Sequence, residues 1–493
     1  MDKNAIKKYA VWARRELIAR VAQRAALYEI TEGGFGDPDA QTAHWRVLTD
    51  EEKAQRQALV ARIRQEGYQQ VMEEVAYTWF NRFIALRFME VNGYLPSRVR
   101  VFTDENNQFK PQILAEAMNL ELDGLDPQKV YAFKNANDDD GLFKLMIIVQ
   151  CNALSAILPG MFQRISDYTE LLFPDNLLRE GSVVEQMISA IPEDDWRDAV
   201  QIIGWLYQYY ISEKHDEVVD PLHGKAIQQE DIPAATQLFT TDWVVRYMVD
   251  NSVGRYWIER HPNSSLADKL QFFVKPKNGV IPSVNESITP QEVTFLDPCM
   301  GSGHILAYAF DVLMEIYKEY GYTEREAAAE IVQHNLHGLD IDERCTQLAD
   351  FVIMMKARQY DRRFFSRGIR AQVYCPKEDQ ELVDFGALVQ VNELGDEPNA
   401  PEELTLFNMN YADQQNDWNY RRVLSQKYAV VCTNPPYLNK YHAKLKKFVT
   451  ENYKDYSGDL FSVFIYRNFG FCQKDGYSAF MTPNVWMFIK SGF

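Results

Sequence analysis

Two short stretches hold residue types whose spacing could do chemistry. In the first, Asp297-Pro298-Cys299-Met300-Gly301-Ser302-Gly303 follows the apolar run VTFL and precedes HILAYAFDVLMEIYKEY. That order predicts a buried strand, a tight turn and a helix. Glycines in such a turn permit positive φ and close approach of the backbone to a ligand, while the helix start offers unpaired N–H groups. The lysine and hydroxyl residue of a phosphate-binding P-loop do not follow, which disfavours a P-loop nucleotidase. In the second stretch, about 130 residues later, Asn434-Pro435-Pro436-Tyr437 closes the apolar run YAVVC. Two prolines withdraw two backbone donors and stiffen the turn, leaving carbonyls free. The Asn434 side-chain carbonyl and the Pro435 backbone carbonyl can then each accept one hydrogen of an amine.

Between them lies LHGLDID, which predicts a second strand ending at Asp340 and Asp342. An acid there in a Rossmann-like sheet can accept ribose hydroxyls, but the interval from Gly303 exceeds the roughly 20 residues of a dinucleotide fingerprint, so NAD fits poorly. An additional segment, TEREAAAEIVQHN, fills the interval. The His334-x-x-His337 pair, which runs from its end into LHGLDID, has no acidic or cysteine cluster beside it and is read as a helix-end pair, with no metal site.

The elements that must position these residues differ between the two halves. Up to about residue 215 the pattern is helical: RRELIARVAQRAALYEI and EEKAQRQALVARIRQEGYQQVMEEVAYTWFNRFIALRFMEVNGYLP place apolar residues at i, i+3, i+4 and i+7. The breaks TEGGFGDPDAQ and NANDDDG punctuate it. A boundary is expected near residue 220, giving a helical N-terminal domain, 1–220, and a catalytic core, 221–493. Beyond it, VTFLDP, LHGLDI, YAVVCTNP and GYSAFMTP predict strands alternating with helices, as in a parallel doubly wound α/β sheet. A third strand is expected in either AQVYCPK or LVDFGALVQV. The acidic stretch ELGDEPNAPEELTLFNMNYADQQNDWN is expected to be loop-like.

At 493 residues the chain exceeds the roughly 250 to 300 that one core usually supports, so two units are expected. Its content is 46% hydrophobic and 13% aromatic, as in ordinary globular proteins, and no apolar run approaches the roughly 20 residues of a spanning helix. The amphipathic start lacks the apolar core of a secretory signal, and the six cysteines form no CxxC pair. A cytoplasmic location, away from membranes, is expected. The net charge of −18 argues against general coating of nucleic acid but leaves room for a local basic cleft. KYHAKLKKFVTENYKDY, next to the second motif, concentrates Lys440, Lys444, Lys446 and Lys447 among aromatics, a spacing that fits either phosphate contacts or a solvated helix face.

The glycine turn resembles motif I of amino-methyltransferases, and TQLFTTDWVVRYMVD resembles their motif X through Gln237, Phe239 and Thr240, with Thr241 where a proline is usual. The resemblance implies S-adenosylmethionine as cofactor, with Asp297, Gly301 and Gly303 at its methionine end, Asp340 and Ile341 at its ribose and base, and Phe239 and Thr240 from motif X. It implies that Asn434, Pro435, Pro436 and Tyr437 are catalytic, the tyrosine stacking on a base flipped out of duplex DNA. An amine held by Asn434 and Pro435 keeps its lone pair free to attack a sulfonium methyl. The residue after the glycine of motif III often binds the cofactor's adenine amine. Phe385-Gly386-Ala387-Leu388 is the nearest match, which leaves that contact unassigned.

The motif order matches the γ arrangement of DNA adenine methyltransferases. MDKNAIKKYAVWARRELIARVAQRAALYEITEGGF and IIGWLYQYYISEKHDEV narrow the resemblance to the N-terminal part of the adenine-specific methyltransferases of BREX phage-defence systems. That implies N6-methyladenine in host DNA as product and double-stranded DNA and other BREX proteins as partners. An acidic, DNA-mimicking phage inhibitor would also suit a DNA cleft. A seven-stranded core would need two strands beyond Phe493, so the chain is expected to be the truncated front of a longer protein, with little sequence-specific methylation of its own. Two other readings stay open: methylation of RNA guanine or protein glutamine, and a non-catalytic, cofactor-sensing part of a defence complex.

Overall fold

The computed structural model describes all residues except 37–46, 164–166, 220–226, 229–230, 237–239, 402–409 and 485–493. It divides into two compact units, Met1–Glu213 and Lys214–Phe493. The boundary expected near residue 220 adjoins 220–226, which lie outside the described residues, as do most of the last expected helix, Gln237 and Phe239.

The first unit is built mainly of helices, among them Lys3–Leu27, Asp50–Glu66, Tyr68–Asn92 and Asp139–Leu154, with one short hairpin pairing Ile30–Thr31 and Gly34–Phe35. The segment from Glu51 to Pro96, read as one periodic stretch, is broken at Gly67, whose φ of 93° is out of reach of a helix and costly for a side-chain-bearing residue. Tyr68–Asn92 supplies the centre of this unit, with most of its positions from Val71 to Val91 buried. Its interior ion pair, Arg87 to Glu90 at 2.5 Å, also engages Thr103 and the Phe102 N–H, so neither charge is left uncompensated.

The second unit is a mixed α/β body around a five-stranded parallel sheet. We label its strands β1 (Phe295–Asp297), β2 (Leu336–Leu339), β3 (Gln372–Tyr374), β4 (Tyr428–Thr433) and β5 (Cys472–Phe480); they lie in the order β3-β2-β1-β4-β5, all parallel. β1, β2 and β4 are buried at every position, as near-continuous apolar strands covered on both faces should be. AQVYCPK, of the two stretches weighed, holds the third strand; LVDF lies in the helix Gln380–Phe385, and the following residues turn as a short 3₁₀ segment. The stretch expected to be loop-like from 393 to 419 is corrected in its second half, where Tyr411–Ser425 is a helix. Its spacing of Asp417, Tyr420, Val423 and Leu424 buries one face against the sheet layer, a period that the surrounding acids and amides obscured.

β1 and β4, two strands apart in the chain, lie side by side, and from them the sheet grows in opposite directions, through β2 and β3 on one side and to β5 on the other. That is the topological switch point at which open α/β sheets hold ligands beyond the strands' carboxyl ends. Asn335, fully buried ahead of β2, donates to Pro290 O and Val293 O and accepts from the Tyr317 hydroxyl, so it fixes the lead-in to β1 from the opposite end.

Candidate active site at the sheet switch point

The glycine turn leaves β1 at Asp297. Gly301 and Gly303 take φ of 53° and 81°, the left-handed region that favours glycine, and Gly303 passes directly into the helix His304–Tyr320. A Cβ at Gly301 would meet nothing within 4 Å among the described residues, which leaves that face of the turn open to them; one at Gly303 would press on Ala349 at 3.0 Å. The turn is tied to β2 twice, by Met300 N–H to Leu339 O at 3.0 Å and by Gly301 N–H to the Asp340 carboxylate at 2.9 Å.

Asp297 and Asp340 are the charged groups of this corner. One Asp297 oxygen accepts from the Thr433 hydroxyl at 2.6 Å and the Cys299 N–H at 3.1 Å; the other, Oδ2, is buried with no hydrogen-bond partner among the described residues. Burial pushes the Asp297 carboxyl up to about 7 against the opposing pull of those two hydrogen bonds. Asp340 is likewise pushed up to about 7, first by burial, while its two oxygens take the N–H groups of Gly301 and Asp342. A carboxylate has about four acceptor positions, so both acids retain capacity for a ligand's donors.

The second motif leaves β4, whose Leu296 to Val431 register with β1 brings Thr433 within reach of Asp297. Asn434 donates its amide N–H to the Thr240 hydroxyl at 3.1 Å, which points the amide oxygen the other way. The Tyr437 hydroxyl lies 2.8 Å from Asn434 Oδ1 and 2.9 Å from Met481 O and can donate to one at a time. Burial, with Asp459 nearby, pushes that phenol up to about 12, so it stays a donor. Asp459 caps the helix Leu460–Phe469 and also takes the Leu438 N–H at 3.0 Å, holding the turn's far side.

Thr240 arrives from the segment before the helix Asp242–Val249. Thr241, in place of the usual proline, has φ of −61°, the angle a proline ring would impose, so the exchange leaves the turn's course unaltered. Beyond that helix, Asp250 accepts from the Tyr308 hydroxyl at 2.8 Å, fastening this segment to the helix that follows the glycine turn.

The expected residues are thus brought together in part. Asp297, Gly301, Gly303, Asp340 and Ile341 line the ends of β1 and β2; Asn434, Pro435, Pro436 and Tyr437 line the end of β4; and Thr240 touches Asn434. Of the lysines, Lys444 pairs with buried Asp384 and Lys447 lies 3.9 Å from Glu451, while Lys440 and Lys446 are exposed. His337 is buried against the carbonyls of Phe295 and Asn335, and among the described residues no group of His, Cys, Asp and Glu is placed to hold a metal. Sequence reasoning missed Thr433 and the pairing of Thr240 with Asn434, both of which depend on tertiary packing with no local signal.

Residues 334–493 match the Eco57I restriction-modification methylase family. The whole chain aligns with the adenine-specific methyltransferase BrxX of Escherichia coli O9:H4 (strain HS) at 33% identity and with the adenine-specific methyltransferase PglX of Lacticaseibacillus casei (strain Zhang) at 36%. Along its whole length this chain resembles adenine-specific methyltransferases. The resemblance expected from the motifs is borne out. The chain spans about half the length of these curated relatives, 47% in both cases. Among solved structures it aligns with a DrdV–DNA complex at a TM-score of 0.42 and 12% identity, over 97% of this chain and 35% of that one. No helix among the described residues is long and apolar enough to cross a membrane.

Proposed function

We propose that this chain carries the catalytic core of a site-specific DNA adenine N6-methyltransferase of a BREX-type phage-defence system, with S-adenosylmethionine as cofactor. The observation that carries the reading is the hydrogen bond from Thr433 to Asp297, which joins the end of β4 to the glycine turn and sets an amine-holding motif beside the two acids at the switch point. The residues fit the cofactor: a partnerless buried oxygen on Asp297 suits an ammonium, the open face of Gly301 admits a close ligand, and Asp340 keeps acceptor capacity for ribose hydroxyls. S-adenosylmethionine supplies an electrophilic methyl group.

The protein's own part is positioning. Thr240 holds the Asn434 amide so that Oδ1 and the Pro435 carbonyl can accept the two hydrogens of the target amine, leaving the nitrogen lone pair for attack. Tyr437 yields Asn434 Oδ1 to the incoming amine and keeps Met481 O as its acceptor, while its ring offers a stacking face to the extruded base. Exposed Lys440 and Lys446 are offered as phosphate contacts beside the flipped base, in the cytoplasm with the other BREX proteins as partners.

Transfer of tritiated methyl groups to mixed-sequence duplex DNA, RNA and protein tests this reading. It predicts that the label, at the low level expected of this chain alone, goes to adenine N6 of DNA and is reduced at least about a hundredfold by Asn434→Ala, the scale of losing a positioned transition-state contact. Label in RNA or protein alone, or DNA label indifferent to Asn434→Ala, contradicts it.

A further inference from the structure

Tyr420 stands on the helix Tyr411–Ser425, in the stretch whose sequence looked like a loop, and reaches the floor of the corner described above. It is fully buried, yet its hydroxyl has no hydrogen-bond partner among the described residues. Leaving such a group unmade costs free energy, so a partnerless buried hydroxyl calls for a reason. Its neighbours supply one. A Cβ built on Gly386 would lie 3.5 Å from the Tyr420 oxygen and 2.6 Å from Ile341 Cγ2, so Gly386, Ile341 and the phenol converge on one spot. Gly386 holds φ of 54°, keeping its bare face toward them, and Ile341, directly after Asp340, is 41% exposed and free to lift away. Burial first, then Asp340, Cys299 and Cys375, push the phenol well above its ordinary range, which keeps it a neutral hydroxyl next to the ribose-holding acid.

We infer that the Tyr420 hydroxyl accepts a hydrogen from the adenine amine of the cofactor once Ile341 lifts from Gly386. The inference rests on the cofactor reading above. It assigns the contact that the Phe385-Gly386-Ala387-Leu388 turn leaves open: that turn offers a glycine and apolar side chains, with no acid or amide after the glycine. A side chain from a neighbouring helix then does what a residue of the turn would otherwise do. The purine lies against Ile341 with its polar edge on Tyr420, a mostly apolar pocket with one placed polar group.

Calorimetry with S-adenosylhomocysteine and its purine analogue lacking the 6-amine, on the unsubstituted chain and on Tyr420→Phe, tests this. The unsubstituted chain should bind S-adenosylhomocysteine about tenfold more tightly than the analogue, the worth of one buried hydrogen bond, and Tyr420→Phe should bind the two equally. The ligand-free unfolding midpoint of Tyr420→Phe should be unchanged or higher, because the variant removes a hydroxyl that had no partner. Undiminished discrimination in Tyr420→Phe, or a lowered ligand-free midpoint, overturns the inference while leaving the cofactor reading in place. Failure of the unsubstituted chain to bind S-adenosylhomocysteine overturns both.

Discussion

Replacing Thr433 by valine keeps the side-chain shape and deletes the hydroxyl that donates to Asp297 at 2.6 Å, at a place where both residues are 0% exposed. The cost depends on the charge of the acceptor. Burial lifts the Asp297 carboxyl from 3.8 to about 7, so between those values the folded chain holds a proton that the unfolded chain releases. The stability this contributes is fully present below the unfolded value and is lost as pH rises through the folded one, a span worth at most about 4 kcal/mol. The Thr433 hydroxyl lowers the folded value, so it acts chiefly by stabilising the ionised acid. Thr433→Val should therefore cost about 1 kcal/mol at pH 5.5, where the partner is neutral, and about 2 to 3 kcal/mol at pH 8.5, where it is an ionised and now less satisfied carboxylate. Pulse-labelling hydrogen exchange against urea, read on peptides from β4, reports this unit alone. A cost equal at both pH values, or no cost, refutes the argument that this bond ties the strand to an ionising buried acid.

Gly303→Ala should destabilise the second unit by about 1 to 2 kcal/mol and weaken cofactor binding, since it combines φ of 81° with contact on Ala349 at 3.0 Å; the same measurement and calorimetry would show it. Lys446→Ala should flatten the salt dependence of DNA binding by about one unit of slope, measured by anisotropy from low to moderate salt, because Lys446 is exposed. Lys444→Ala should instead lower stability, because it takes the cationic partner from the buried carboxylate of Asp384.

The parts legible in the sequence were those set by local chemistry. The strand, glycine turn and helix from Phe295 to Tyr320 follow from an apolar run, two glycines and an amphipathic repeat, and the helix ends at Tyr320 with Gly321 as its left-handed cap. The second motif shows its strand end through its prolines. Illegible parts depend on which strands become neighbours. Thr433 reads as the last residue of a strand until the register of β4 on β1 sets it against Asp297. Tyr420 sits in a run of amides and acids whose helical period emerges only when its buried face is known. Lys444 looks like its neighbouring lysines, but Asp384, sixty residues earlier, distinguishes it. Gly67 lies inside a stretch whose apolar period runs on across it, whereas its backbone angle makes it a break.

The most direct test of the central claim, that the corner of Asp297, Gly301, Gly303 and Asp340 is a cofactor pocket facing Asn434, is calorimetric titration of this chain and of Asp340→Ala with S-adenosylmethionine at pH 8, above the raised Asp340 value of about 7. The account predicts micromolar binding, weakened at least about tenfold by the substitution, as expected for loss of a charge-assisted acceptor. No binding by the unsubstituted chain, or equal binding by both, contradicts it.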